Sequence, residues 1–141
     1  REGPGRMKLL FSAVCDDAAL SEEGKLDVRG VFHDLYAPGF PAKQDKMVLV
    51  LVIEWAPGAQ GRYDFQADLL GPDGQPALTV RGQSEVEKGP SDRPPRRTQV
   101  LMPMDDVIFP LPGEYGFQVS AMGRRFRGPT LYLIETEDAG E

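Results

Sequence analysis

The residues best suited to chemistry in this sequence are a single cysteine, Cys15, and a single histidine, His33. They are the only pair from which the chain could build a cysteine–histidine dyad, in which the thiolate is the nucleophile. Neither lies in a motif that exposes a nucleophile, and Asp34 points to the opposite face of a strand from His33. Because a free cysteine usually behaves as a small core residue, we expect a buried Cys15 and a partly buried His33.

Carboxylates are the second group with chemical potential, since loop aspartates can converge at one end of a β-sandwich and bind a cation. Asp73, Asp105 and Asp106 are the candidates. Calcium needs about six to eight oxygen ligands with dedicated spacing, and no alternating Asp-x-Asp run is present. One cysteine and one histidine are also too few for zinc. Solvated loop acids are therefore the preferred interpretation, with no metal and no cofactor.

Arginines form the third group, at Arg124, Arg125 and Arg127 around Phe126. Arginines beside an aromatic ring are suited to nucleic acid. However, 22 acidic residues against 16 basic ones give a formal charge of -6, which disfavours binding to nucleic acid or anionic lipid. Two roles are favoured instead for these arginines: a solvated surface or a contact with an acidic protein partner.

The chain has 141 residues, enough for one domain whose core needs neither disulfide nor metal. One cysteine cannot form an intramolecular disulfide, so a cytoplasmic location is expected. The apolar run 9–14 is too short for a signal sequence or a membrane span and predicts a strand, so no membrane insertion is expected. We expect a leader or added remnant over 1–6, a β-sandwich domain over 7–136, and an acidic tail over 137–141.

Strands must position all of these residues, because no long amphipathic run at helical spacing is present. A short stretch, 16–23, could form one helical turn capped by Ser21. Turns are predicted at Gly71–Gly74 and Met122–Gly123, and the segment 88–95 is predicted to be a mobile loop. The predicted strands are 7–14, 24–36, 46–55, 62–70, 75–87, 96–102, 113–122 and 124–135. This spacing predicts a single antiparallel β-sandwich of about eight strands, with immunoglobulin-like or related Greek-key topology.

The third predicted strand is apolar on both faces. Trp55 shares the parity of Leu49, Leu51 and Ile53, which favours that face for the core and assigns Val48, Val50 and Val52, here called the valine row, to the outer face. An outer face of an antiparallel sandwich normally meets water. Three explanations stay open: another segment of the chain covers the row, a partner covers it, or valine simply favours strands.

One set of turn and core positions has a distinctive combination of residues. These are Asp17, Ser21, Glu23, Gly24, Lys25, Leu26, Gly30, Val31, Phe32, Phe40, Pro41, Met47, Pro72, Asp73, Gly74, Val107, Ile108, Phe109, Pro110, Pro112, Gly113 and Tyr115. They resemble those of a family of small uncharacterised bacterial proteins predicted to be β-sandwiches. The resemblance spans roughly 7–135 and implies a shared fold, with no catalytic residue to carry over. Tyr115 and its surroundings also resemble the tyrosine corner of immunoglobulin-like sandwiches.

These observations favour a noncatalytic protein-interaction module, a structural subunit or accessory of a larger assembly or a homo-oligomer. The contact is expected at the valine row, rimmed by Arg124, Arg125 and Arg127, with an exposed edge strand as a second route. A small-ligand or cation-binding module with acidic loops is the alternative. A hydrolase-type enzyme with a carboxylate site comes third.

Overall fold

The computed structural model describes residues 7–87 and 94–137, which form two β-sheets around a shared core. Four strands make one sheet, in the order β2-β1-β4-β7, and five make the other, in the order β3-β9-β8-β5-β6. In this part of the chain no helix is long and apolar enough to cross a membrane. The strands are β1 (Met7–Leu20), β2 (Leu26–Val31), β3 (Asp34–Ala37), β4 (Ala42–Trp55), β5 (Gly61–Leu70), β6 (Pro76–Val86), β7 (Arg97–Phe109), β8 (Gly113–Ala121) and β9 (Arg124–Glu135).

The core between the sheets is built from alternate residues of the strands, which confirms the predicted all-β class. On β8 the side chains of Tyr115, Phe117, Val119 and Ala121 are buried. On β4 the alternate residues over 47–55 belong to the same core cluster. Because successive side chains of a strand point to opposite faces, both strands turn their other residues to the outer face, the face directed away from the opposite sheet.

The predicted helical turn over 16–23 is wrong, because β1 continues as a strand to Leu20. β1 pairs there with β2, and Leu20 lies opposite Leu26. Ser21 does act as a cap, but of a hairpin turn: its Oγ accepts hydrogen bonds from the backbone N–H of Glu23 at 3.2 Å and of Lys25 at 3.1 Å. Serine hydroxyls satisfy backbone donors equally well at a turn and at a helix start, so the local signal did not distinguish the two.

The single strand predicted over 24–36 is in fact two strands, β2 and β3, that belong to different sheets. The chain crosses between the sheets at Phe32 and His33, and β3 then pairs in parallel with β9. The described chain therefore has nine strands and one parallel pair, where about eight antiparallel strands were expected. The crossing depends on the long-range pairing of β3 with β9. Between Val31 and Asp34 the sequence contains no glycine or proline that would predict a turn.

Strand β7 is also longer than the predicted segment 96–102 and ends at Phe109. Its inward residues change parity on the way, from Met102 and Met104 to Val107 and Phe109. Asp106 lies between the two sets with a left-handed φ of 53°. The pairing with β4 keeps its register there, since Lys46 lies opposite Asp105 and Gln44 opposite Val107, so the two strands change parity together. Strict alternation of apolar residues is lost at this change of parity, so the sequence pattern did not predict that the strand continues to Phe109.

Both predicted turns are confirmed by the structure. Between β5 and β6, the Gly74 N–H donates to the Gly71 carbonyl at 2.9 Å, and Gly74 has a φ of 80° that suits glycine. Between β8 and β9, Met122 and Gly123 have φ values of 55° and 73°, as a two-residue hairpin turn requires. In the predicted loop 88–95, residues 88–93 lie outside the described residues.

Tyr115 ties the bend before β8 to the core. Its hydroxyl donates to the Leu111 carbonyl at 2.7 Å and accepts from the Leu111 N–H at 3.0 Å. Its ring is fully buried, edge-on to Phe109 at a centroid distance of 5.1 Å. Burial raises the pKa of the Tyr115 phenol and so favours its neutral form. The neutral hydroxyl is the form that can donate one of these hydrogen bonds and accept the other.

We expect Tyr115→Phe to destabilise the protein by about 1–2 kcal/mol, because both Leu111 backbone groups lose their protein partner. Tyr63→Phe is the matched control, since the Tyr63 hydroxyl makes one exposed bond, to the Gln60 carbonyl at 2.9 Å. Urea denaturation of both variants checks this expectation. Equal losses of unfolding free energy in the two variants would contradict this expectation, because the two hydrogen bonds to Leu111 would then stabilise the fold no more than the one exposed bond of Tyr63.

Candidate functional site

The valine row is largely covered by the chain itself. Val48 is 3% exposed and Val50 is 0% exposed. They form a second small cluster with Cys15, and its partly buried neighbours are Ala18, Leu26, Val28 and Leu101. The four-stranded sheet thus curls over its own outer face. Val48 and Val50 are not available to a partner in this structure. Of the three explanations that the sequence left open, cover by another segment of the chain is the one that holds for these two residues, so the contact expected there is not exposed. Val52 is half-buried.

The three arginines lie on the last hairpin and do not rim the valine row, because β9 belongs to the other sheet. All three are exposed. Arg124 lies over the Phe126 ring, 5.3 Å from its centroid. Arg125 and Arg127 face an open depression of about 580 Å³ that also includes Glu114. The predicted composite contact surface of valines and arginines is therefore not assembled.

The three candidate carboxylates are distributed over both sheets. Asp73 caps the β5–β6 turn by accepting the Gln75 N–H at 3.1 Å. Asp106 lies on β7, 3.4 Å from the Lys43 ammonium, and its neighbour Asp105 pairs in register with Lys46. Within residues 7–87 and 94–137, no three His, Cys, Asp or Glu side chains are grouped closely enough to hold a metal ion.

Cys15 is buried, as predicted, whereas His33 is exposed and not partly buried. The Cys15 Sγ lies within hydrogen-bond distance of two carbonyl oxygens, of Asp17 at 3.3 Å and of Val48 at 3.6 Å, and its single S–H can donate to either. Burial is the main cause that raises the pKa of this thiol. A thiol held in its neutral form inside an apolar cluster is a poor nucleophile, so the arrangement around Cys15 is that of a core residue.

The least expected feature of the surface is an apolar group at the open edge of the five-stranded sheet, here called the edge patch. It consists of Tyr36, Tyr132 and Ile134, which are 64%, 45% and 36% exposed. Tyr36 on β3 lies opposite Ile134 on β9, and Tyr132 lies opposite Asp34. Sequence reasoning missed this patch because it joined β2 and β3 into one strand. The alternation of Leu131 and Leu133 with Tyr132 and Ile134 was the one available signal.

Polar pairs cover much of the outer face on β5 and β6, which sets the edge patch apart. On β5 and β6, Thr79 donates to Asp68 at 2.6 Å, and Gln66 lies opposite Arg81. Both pairs are typical of a solvated sheet face. The outer face thus changes from polar to aromatic and aliphatic at β9 and β3, where the sheet ends.

The comparisons with known proteins supply a family but no activity. No curated protein matches this sequence. A model of a family of unknown function, DUF6941, matches residues 10–133, a range that includes every strand in whole or in large part. The chain therefore belongs to DUF6941, a family of unknown function.

Proposed function

We propose that this protein is a noncatalytic interaction module that binds another protein chain through the edge patch. It would act as a subunit or accessory of a larger assembly, or as a homo-oligomer. The observation that carries the proposal is the exposure of Tyr36, Tyr132 and Ile134 next to one another on a face that is largely polar at β5 and β6. Tyrosine is enriched in protein interfaces because its ring supplies apolar area and its hydroxyl a polar handle.

The edge patch takes over the role that the sequence assigned to the valine row. Strand β3 ends its sheet, and an unpaired edge is a ready template for a strand from another chain. A cytoplasmic setting for this role is supported by Cys15, a free buried thiol. The hydrogen bonds of Tyr115 support a further proposal, that the fold is related to immunoglobulin-like sandwiches.

The test compares two double variants of the full chain. In Tyr36→Ser/Ile134→Ser the edge patch loses most of its apolar surface. The matched control is Leu10→Ser/Phe11→Ser, because Leu10 and Phe11 are each 44% exposed on β1 in the other sheet. Tagged proteins are recovered from an extract of the source cells at low salt, and the recovered species are sized and identified.

We expect a stoichiometric companion, or a defined homo-oligomer, with the unaltered chain and the control, and a loss of at least tenfold with the edge variant. Circular dichroism and thermal melting should show both variants folded, since the substituted side chains are outside the core. Two outcomes contradict the proposal: an unaltered chain that stays monomeric without a companion, and an association that survives loss of the edge patch.

A further inference from the structure

The side of β3 that faces away from β9 presents its backbone groups in a defined pattern. The His33 carbonyl accepts the Tyr132 N–H at 2.8 Å, and the Ala37 carbonyl accepts the Thr136 N–H at 2.9 Å. Along a strand, backbone groups point alternately to its two sides. The N–H and C=O groups of Asp34 and Tyr36 therefore point away from β9, and no described strand pairs with that side.

Acidic residues lie beside the edge patch. Asp34 and Glu114 each lie opposite Tyr132 in register, on β3 and β8 respectively. Glu135 follows Ile134 at the end of β9 and has the parity of Leu131 and Leu133, the opposite face of the strand. All three are exposed, and we call them the acidic rim. Strands β3 and β8 and residues 131–137 contain no lysine or arginine. Arg125 and Arg127 line the same depression as Glu114, on the β8 side of the patch. The acidic character is therefore strongest at β3, which carries Asp34 and contains no lysine or arginine.

We propose that the occupant of this edge is an extended basic segment of a partner protein, added to the five-stranded sheet as a strand beside β3. This inference rests on the proposed function and names the chemistry of its partner. Hydrogen bonds to Asp34 and Tyr36 would fix the segment in place. Side chains of the segment that lie on the outer face of the sheet would be next to the same two residues. A lysine or arginine at such a position can pair with the Asp34 carboxylate and stack on the Tyr36 ring.

A second copy of the chain is a poorer occupant of the same edge. A twofold pairing of β3 with itself would bring two acidic rims together in chains that each carry a formal charge of -6. Like charges in an interface oppose association, whereas a basic segment beside β3 gains from the carboxylate of Asp34. The charge pattern therefore selects a basic partner over self-association.

The inference is tested with the full chain and two synthetic probes, the capped peptide Lys-Val-Arg-Ile-Lys-Val and its acidic counterpart Glu-Val-Glu-Ile-Glu-Val. Binding is followed by amide chemical shifts at low and at raised salt. We expect the basic peptide to bind, to move the amides of Asp34 and Tyr36 most, and to weaken as salt is added. Two N-methylated forms of the basic peptide, one methylated at its odd and one at its even residues, extend the test. Only one of them should lose binding, because only one set of peptide N–H groups faces β3.

Asp34→Asn should weaken the basic peptide about two- to fivefold, as expected for one exposed ion pair. Asp64→Asn is the matched control, an exposed carboxylate on β5 of the same sheet, and should leave binding unchanged. Equal binding of the acidic peptide, indifference to both N-methylation patterns, or a homodimer at the edge each overturns the basic-strand inference. Those results leave the proposed function standing. It fails if the unaltered chain has neither a companion nor an oligomeric state, or if association survives loss of the edge patch.

Discussion

Val50→Lys is expected to destabilise the protein by about 3–5 kcal/mol, or to prevent folding, because an ammonium at this position would be buried without a partner. Val50 is 0% exposed and contacts a cluster contributed by β1, β2, β4 and β7. The hairpin of β1 and β2 covers one side of it. A lysine side chain cannot reach water there without displacing this hairpin.

Val52→Lys is the matched control for that variant. Val52 belongs to the same row but is half-buried, and it lies opposite Phe11 and Gln99 at the more open end of the sheet. A lysine there can extend its ammonium into water, so we expect a loss of about 1 kcal/mol or less. Chemical denaturation of both variants measures the difference. Wild-type stability of Val50→Lys would mean that β2 does not cover the row in solution.

This result also decides how the valine row can be tested as a contact surface. Loss of association after lysine substitution at Val48 or Val50 would report unfolding of the small cluster and not the removal of an interface. The structure therefore moves the informative substitutions to the edge patch, where the side chains are exposed before any partner binds.

Trp55→Ala is expected to destabilise the protein by about 3–5 kcal/mol, since truncation of a buried tryptophan combines lost apolar burial with a cavity. Trp55 is 1% exposed. Its ring stacks on Tyr63 at a centroid distance of 4.6 Å and meets Phe65 edge-on at 6.3 Å. Its indole N–H donates to the Thr98 hydroxyl at 2.9 Å, which links the end of β4 to β7.

Two further variants separate the contributions at Trp55. Thr98→Val removes only the acceptor and should cost about 1–3 kcal/mol, because the indole N–H is then buried without a partner. Tyr132→Ala removes a large aromatic side chain from an exposed position and should cost about 1 kcal/mol or less. Urea denaturation followed by circular dichroism suits the series, since Trp55 is the only tryptophan. A loss in Trp55→Ala no larger than in Tyr132→Ala would contradict the packing described here.

The residues that sequence reasoning located correctly are those whose environment depends on their own strand or turn. Alternation of apolar residues assigned the inward faces of β4 and β8, because the two-residue period of a strand is a local property. Glycine at positive φ and proline identified the Gly71–Gly74 turn for the same reason. The burial of Cys15 followed from its residue type.

Long-range strand pairing decided the rest, and with it the candidate site. Whether Val48 and Val50 meet water depends on where β2 lies, and β2 is placed by its pairing with the far end of β1. The exposure of Tyr36 depends on β3 leaving the path of β2 to join β9. Neither event has a local signal, because a segment of a few apolar and polar residues fits equally well beside several strands. The amino-acid sequence therefore determined which faces are apolar, and only the tertiary structure decided which of them the chain covers.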